Sequence, residues 1–177
     1  NQIRGVINLD NFTFQSPTKI VFGRDTEHQV GNEARAHGTK VLLHYGGGSI
    51  KKTGLYHRVV QSLKAAGVEF IELAGVQPNP RLSLVHEGIE LCRRENVDLI
   101  LAVGGGSTID SSKAIAMGVP YDGDVWNFFE GKAQAQTALP VGVVLTLPAA
   151  GSEASDSCVI TNEDGWLKRG YGNQLNR

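Results

Sequence analysis

The segment Asp98–Val103 constrains this chain most. Leu99, Ile100, Leu101, Ala102 and Val103 are apolar without alternation, and Gly104-Gly105-Gly106-Ser107 follows at once. A strand with one wet face alternates apolar and polar residues. An unbroken apolar run suits a strand covered on both faces, as in a parallel sheet between helical layers. Parallel neighbours need long crossovers, usually helices, and the flanking sequence supplies them. Val41-Leu42-Leu43, Val68–Leu73 and Val141–Leu145 are further strand runs. Between them lie helix patterns: Leu55, Val59, Leu63 and Ala66 on one face, closed by Gly67; a stretch from about Ser83 to Glu95; and one from the second glycine run to about Met117. The β-α-β-α alternation predicts an α/β fold, a Rossmann-like parallel sheet with helices on both faces.

The connections are less regular. Phe12–Phe14 and Lys19–Phe22 flank Ser16-Pro17 and read as a small hairpin or extended edge. Asp25 is placed to cap a helix running to about His37, with Gly38 just past its end. Pro78-Asn79-Pro80 is a stiff turn. Residues 118–140 are polar, aromatic and irregular, and the small residues of Leu147–Ser157 suit a helix opening. Cys158–Thr161 and Trp166–Tyr171 read as a hairpin turning at Asn162–Gly165. No internal boundary is evident, so one domain is expected over residues 12–177, after an N-terminal extension at 1–11.

Composition excludes several function classes. Lysine and arginine number 17 and acidic residues 18, a net charge of −1, which leaves no footprint for nucleic acid or an anionic membrane. The longest apolar runs, Leu99–Val103 and Val141–Leu147, are too short to span a bilayer. The first ten residues lack the apolar stretch of a secretory signal and carry no starting Met, as in a processed or vector-extended chain. Cys92 and Cys158 are far apart and form no CxxC pair, which argues against a disulfide framework or thiolate metal site and suits a reduced, cytoplasmic setting.

A parallel sheet binds ligands at the carboxyl ends of its strands, and two glycine runs fall there: Gly46–Ser49 and Gly104–Ser107. Glycines let backbone N–H groups approach a phosphate, and a following helix N-terminus adds roughly half a positive charge. The bland alternative is a tight strand-to-helix turn; two such runs at equivalent strand ends favour a dinucleotide diphosphate. The GxGxxG fingerprint of ordinary Rossmann dehydrogenases is absent. In the first run, Gly47, Gly48 and Ser49 lead into Lys51 and Lys52 with no acidic side chain to hold ribose hydroxyls. Ser49 can bond a phosphate and either lysine can neutralise it, which favours NADP over NAD. Asp110 and Lys113 share one helix face after the second run; by spacing alone they read as a surface pair.

The string from Ala102 to Ala116, AVGGGSTIDSSKAIA, resembles the GGGSxxDxxK signature of iron-containing (group III) alcohol dehydrogenases. Four further segments agree in order. Phe14–Gly23 resembles that family's opening hairpin, Tyr45–Gly54 the first cofactor loop of its NADP-using butanol dehydrogenase branch, Pro78-Asn79-Pro80 a family turn, and Thr146–Glu153 the loop placed against the nicotinamide. The resemblance covers about residues 12–175 and implies hydride transfer between a nicotinamide and a primary alcohol or aldehyde. It further implies that Gly104, Gly105, Gly106 and Ser107 hold the pyrophosphate and that Asp110 lies near the nicotinamide end. Asn79 is expected to touch the cofactor; Thr146, Leu147 and Ser152 to line its far half; and Lys168 to reach a ribose. Trp126, Phe128 and Phe129 either edge the substrate mouth or belong to the core.

Family enzymes are about twice as long, and the resemblance implies a metal, iron or zinc, bound by one aspartate and three histidines of a following helical domain. None of His28, His37, His44, His57 or His86 lies in a matching segment or forms an HxxxH pair. No metal ligand is therefore expected among these residues, the helical metal-binding domain is expected to be absent, and any activity of this chain alone is expected to be weak and not metal-dependent. The alternatives are a non-catalytic dinucleotide-binding module and a sugar-phosphate lyase of the dehydroquinate synthase type. The first loop and the Thr146–Glu153 segment argue against the lyase. An apolar face without its helical partner favours association, so a homodimer or larger assembly is expected.

Overall fold

The computed structural model describes residues 16–176. Its centre is a four-stranded parallel sheet in the order β2-β1-β3-β4, built from β1 (Lys40–Tyr45), β2 (Glu69–Leu73), β3 (Leu99–Gly104) and β4 (Val141–Leu145). Every residue of β3 is buried. The cause is visible residue by residue, because alternate side chains enter different cores. Leu42 and Ile100 join Val85, Ile89, Ile115 and Met117 on one face. Val41, Leu43, Leu99, Leu101 and Val103 join Ala34, Ile50, Val59 and Leu63 on the other. Helices cover both faces, as the unbroken apolar run demanded.

On the first face lie α4 (Leu82–Glu95) and α5 (Gly106–Gly118), with Trp126, Phe128 and Phe129 of the one-turn α6 (Trp126–Phe129). These aromatics are buried in the core rather than edging a mouth. The two long helices interlock closely. A side chain added at Gly88 would strike Ile115, and one added at Gly118 would strike Ile89. On the second face lie α1 (Val30–Arg35), α2 (Ser49–Lys52) and α3 (Leu55–Ala65).

A separate antiparallel hairpin, β5 (Ser157–Asn162) with β6 (Leu167–Gly172), packs on α4 and α5. Its inner side buries Cys158 and Ile160 in the first core, and the Tyr171 ring stacks on Phe128 at 5.4 Å. The Thr161 amide donates to the Pro80 carbonyl at 2.8 Å, tying the hairpin to the Pro78–Pro80 turn.

Several expectations change. Asp25 caps nothing: its backbone is left-handed, with φ 57°, and a 3-10 turn at Thr26–Gln29 precedes α1. The reason lies in α3. The Ser62 hydroxyl accepts the Gly31 amide at 2.9 Å and donates to the His28 carbonyl at 2.7 Å. A continuous helix would have paired both groups internally. Residues 147–156, expected to open a helix, hold only a 3-10 turn, Ser152–Ala154, before β5 begins at Ser157. Lys19–Phe22 forms no strand among the described residues, and Phe12–Phe14 lies outside them. No described helix is long and apolar enough to cross a membrane.

Candidate functional site

Both glycine runs leave the same edge of the sheet. β1 and β3 pair in parallel with Tyr45 opposite Val103, so Gly46–Gly48 and Gly104–Gly106 emerge side by side. The two corners differ in build. Gly47, Gly48 and Ser49 are exposed, and a side chain added at Gly47 or Gly48 would meet nothing within 4 Å. The helix behind this corner is a single turn, so its dipole adds little.

The second corner is tighter. It opens α5, thirteen residues long, whose first amides have no helical acceptor. Its aligned dipole therefore favours an anion in front of Gly106 and Ser107. Thr146–Ala150 lies across it. The Thr146 amide donates to the Gly104 carbonyl at 3.0 Å, and an added Cβ on Gly106 would stand 3.0 Å from that of Ala150. Thr146 and Leu147 are exposed above the corner. Close backbone approach explains the glycine at 106.

Asn79 and Lys168, 89 residues apart, meet: the ammonium donates to Asn79 Oδ1 at 2.7 Å. Asn79 sits in the left-handed region, with φ 58°. Both side chains are exposed, so both can turn to a ligand.

Asp110 and Lys113 are not a surface pair. Asp110 accepts from the Ser152 hydroxyl at 2.6 Å and from the Val159 amide at 3.1 Å. Burial pushes its carboxyl up, against the pull of these donors. Lys113 is buried and donates to the carbonyls of Ser152, Ser155 and Ser157 at 2.6, 2.8 and 3.2 Å. Burial pulls its ammonium down. The pair thus anchors the loop from Ser152 to β5. Ser152 is buried and committed to Asp110 rather than open to a ligand.

A cluster beside the first corner escaped the sequence. Glu72, near the end of β2, accepts from the hydroxyls of Tyr45 and Tyr56, both at 2.5 Å, one on each carboxylate oxygen. Lys51 lies over both rings, with its ammonium 5.3 and 4.8 Å from their centres. Burial would raise Glu72, but the hydroxyls outweigh it and hold the carboxyl below its usual range. The bond to Glu72, with burial, pushes Tyr56 up to about 12. The Tyr45 hydroxyl beside Lys51 holds its ammonium high. Only the neighbourhood of Tyr45, Glu72 and Tyr56 across two strands and a helix could have shown this, and no local motif carries it.

Residues 17–176 match the family model of iron-containing alcohol dehydrogenases. The chain belongs to that family. It is 50% identical over 167 residues to a probable NADH-dependent butanol dehydrogenase 1 of Bacillus subtilis, covering 94% of this chain and 43% of that protein. It is 38% identical over 158 residues to the NADPH-dependent aldehyde reductase YqhD of Escherichia coli, covering 88% and 40% respectively. The structure of an NADH-dependent butanol dehydrogenase A from Thermotoga maritima superposes with a TM-score of 0.92 at 50% identity, over 94% of this chain and 42% of that one. The chain thus spans about two fifths of the length of the iron-containing alcohol dehydrogenases it matches. Among the described residues, no three His, Cys, Asp or Glu side chains converge as a metal site requires.

Proposed function

We propose that this chain binds NADP(H) and forms the dinucleotide domain, residues 12–177, of an alcohol or aldehyde oxidoreductase. The observation that carries the reading is the pair of glycine corners at adjacent strand ends, one opening a long helix beneath Thr146–Ala150. Amides of Gly104, Gly105, Gly106 and Ser107 receive the diphosphate. Asn79 and Lys168 receive a ribose; Asp110, Thr146, Leu147 and Ser152 shape the nicotinamide half, Asp110 and Ser152 by holding the loop in place. Gly47, Gly48 and Ser49 admit the adenosine end, where Lys51 and Lys52 meet a 2′-phosphate. Glu72, beside that corner, supports NADP over NAD, since both its oxygens are already taken by tyrosines. Bound NADP(H) supplies or accepts a hydride, and an alcohol or aldehyde carbon is the partner. The exposed apolar residues Ile20 and Phe22 support self-association as part of the same reading.

Thermal unfolding tests the binding. NADPH at a hundredfold its dissociation constant is expected to add about 2.7 kcal/mol, a rise of roughly 5–10 °C in Tm. A Tm that neither NADPH nor NADH moves would overturn the reading. Absorbance-followed oxidation of NADPH with butyraldehyde separates an oxidoreductase from a module that binds without turnover.

A further inference from the structure

The geometry points to Tyr56, braced by Glu72, as a specificity-determining residue that seats Lys51 for the 2′-phosphate of NADP. This rests on the NADP reading above and extends it to side chains outside the glycine corner.

A lysine at the surface ordinarily samples many rotamers, and its charge is spread over a wide volume. Lys51 and Lys52 are both exposed on the one-turn α2, but they differ. Lys51 alone lies on aromatic faces, between the edge-to-face rings of Tyr45 and Tyr56, whose centres are 5.9 Å apart. Tyr45 is buried at the end of β1 and cannot turn away; Tyr56 is half-buried on α3. Glu72 fixes both rings by taking one hydroxyl on each oxygen. A phenol donating to a carboxylate has a more electron-rich ring, which strengthens its hold on a cation. The nearby Arg58 is spent on Glu27 at 2.7 Å. The seated ammonium of Lys51 is therefore the cation with a defined place beside Gly47 and Gly48, where an added 2′-phosphate must come.

The experiment is calorimetric titration of the full chain with NADPH, NADH, adenosine 2′,5′-bisphosphate and 5′-AMP. Three variants follow: Tyr56→Leu, Tyr56→Phe and Lys51→Met. Tyr56→Leu is expected to weaken NADPH and the bisphosphate by about two- to fivefold, the worth of an exposed cation–π seat, and to leave NADH and 5′-AMP unchanged. Tyr56→Phe keeps the ring and restores most of the affinity. In the Lys51→Met background, Tyr56→Leu has no further effect. Equal losses for NADPH and NADH would mean that Tyr56 only supports the fold, and would overturn the inference. So would an unchanged NADPH affinity, or an equal loss without Lys51. A wild-type chain that binds NADPH and NADH alike removes the 2′-phosphate reading itself, whereas failure of the variants alone leaves that reading standing.

Discussion

His44 is fully buried between β1, β2 and α5. Its Nδ1 lies 2.8 Å from the Leu73 carbonyl, which can only accept, so Nδ1 carries the proton and Nε2 accepts from the Ser111 hydroxyl at 2.9 Å. Burial pulls its pKa from 6.5 to about 4. The folded value lies below the unfolded one, so His44 contributes its full stability above pH 6.5, and that stability drains away as pH falls towards 4. At 1.36 kcal/mol per unit the loss is about 3 kcal/mol. Urea unfolding at several pH values should show this slope, and His44→Gln should flatten it between pH 4 and 6.5. A slope unchanged in the variant would assign the acid sensitivity elsewhere.

At the scale of elements, the contact of α4 with α5 depends on two glycines set against two isoleucines. Gly88 receives Ile115, and Gly118 receives Ile89. This reciprocal fit brings α5, which opens the second glycine corner, tightly against α4, which follows the Asn79 turn. Gly88→Val would drive a branched side chain into Ile115 and Leu73. Overpacking of this kind costs about 1–3 kcal/mol, so the variant should melt roughly 2–12 °C lower. Because the added methyls separate the helices that carry both halves of the site, NADPH affinity should fall as well. A stability equal to wild type would show that the helices can part without strain.

At the scale of the molecule, two cores sandwich one sheet, and the open corners lie along a single edge. β4 ends that sheet and is only half-buried along its whole length, unlike β1 and β3. Together with the exposed Ile20, Phe22 and Leu147, it leaves apolar area that water disfavours. Light scattering at micromolar concentration should report a dimer or larger species. A monomer would show that this surface is tolerated in solution.

The strands, the long helices and both glycine corners were legible in the sequence because each is a local pattern. An unbroken apolar run declares two covered faces, and a glycine run at a strand end declares a turn open to a ligand. The family resemblance, rather than any local pattern, pointed to Asn79 for the cofactor and Lys168 for a ribose, and it did not carry the bond between those two. The tertiary structure decided what lies beside what. It placed Glu72 between Tyr45 and Tyr56, turned Lys113 from a surface partner into the anchor of three carbonyls, and let Ser62 divide the helix expected after Asp25. Side-chain period reports which face a residue takes but not which strand or helix stands opposite. Only the strand order β2-β1-β3-β4 and its register supply that neighbour.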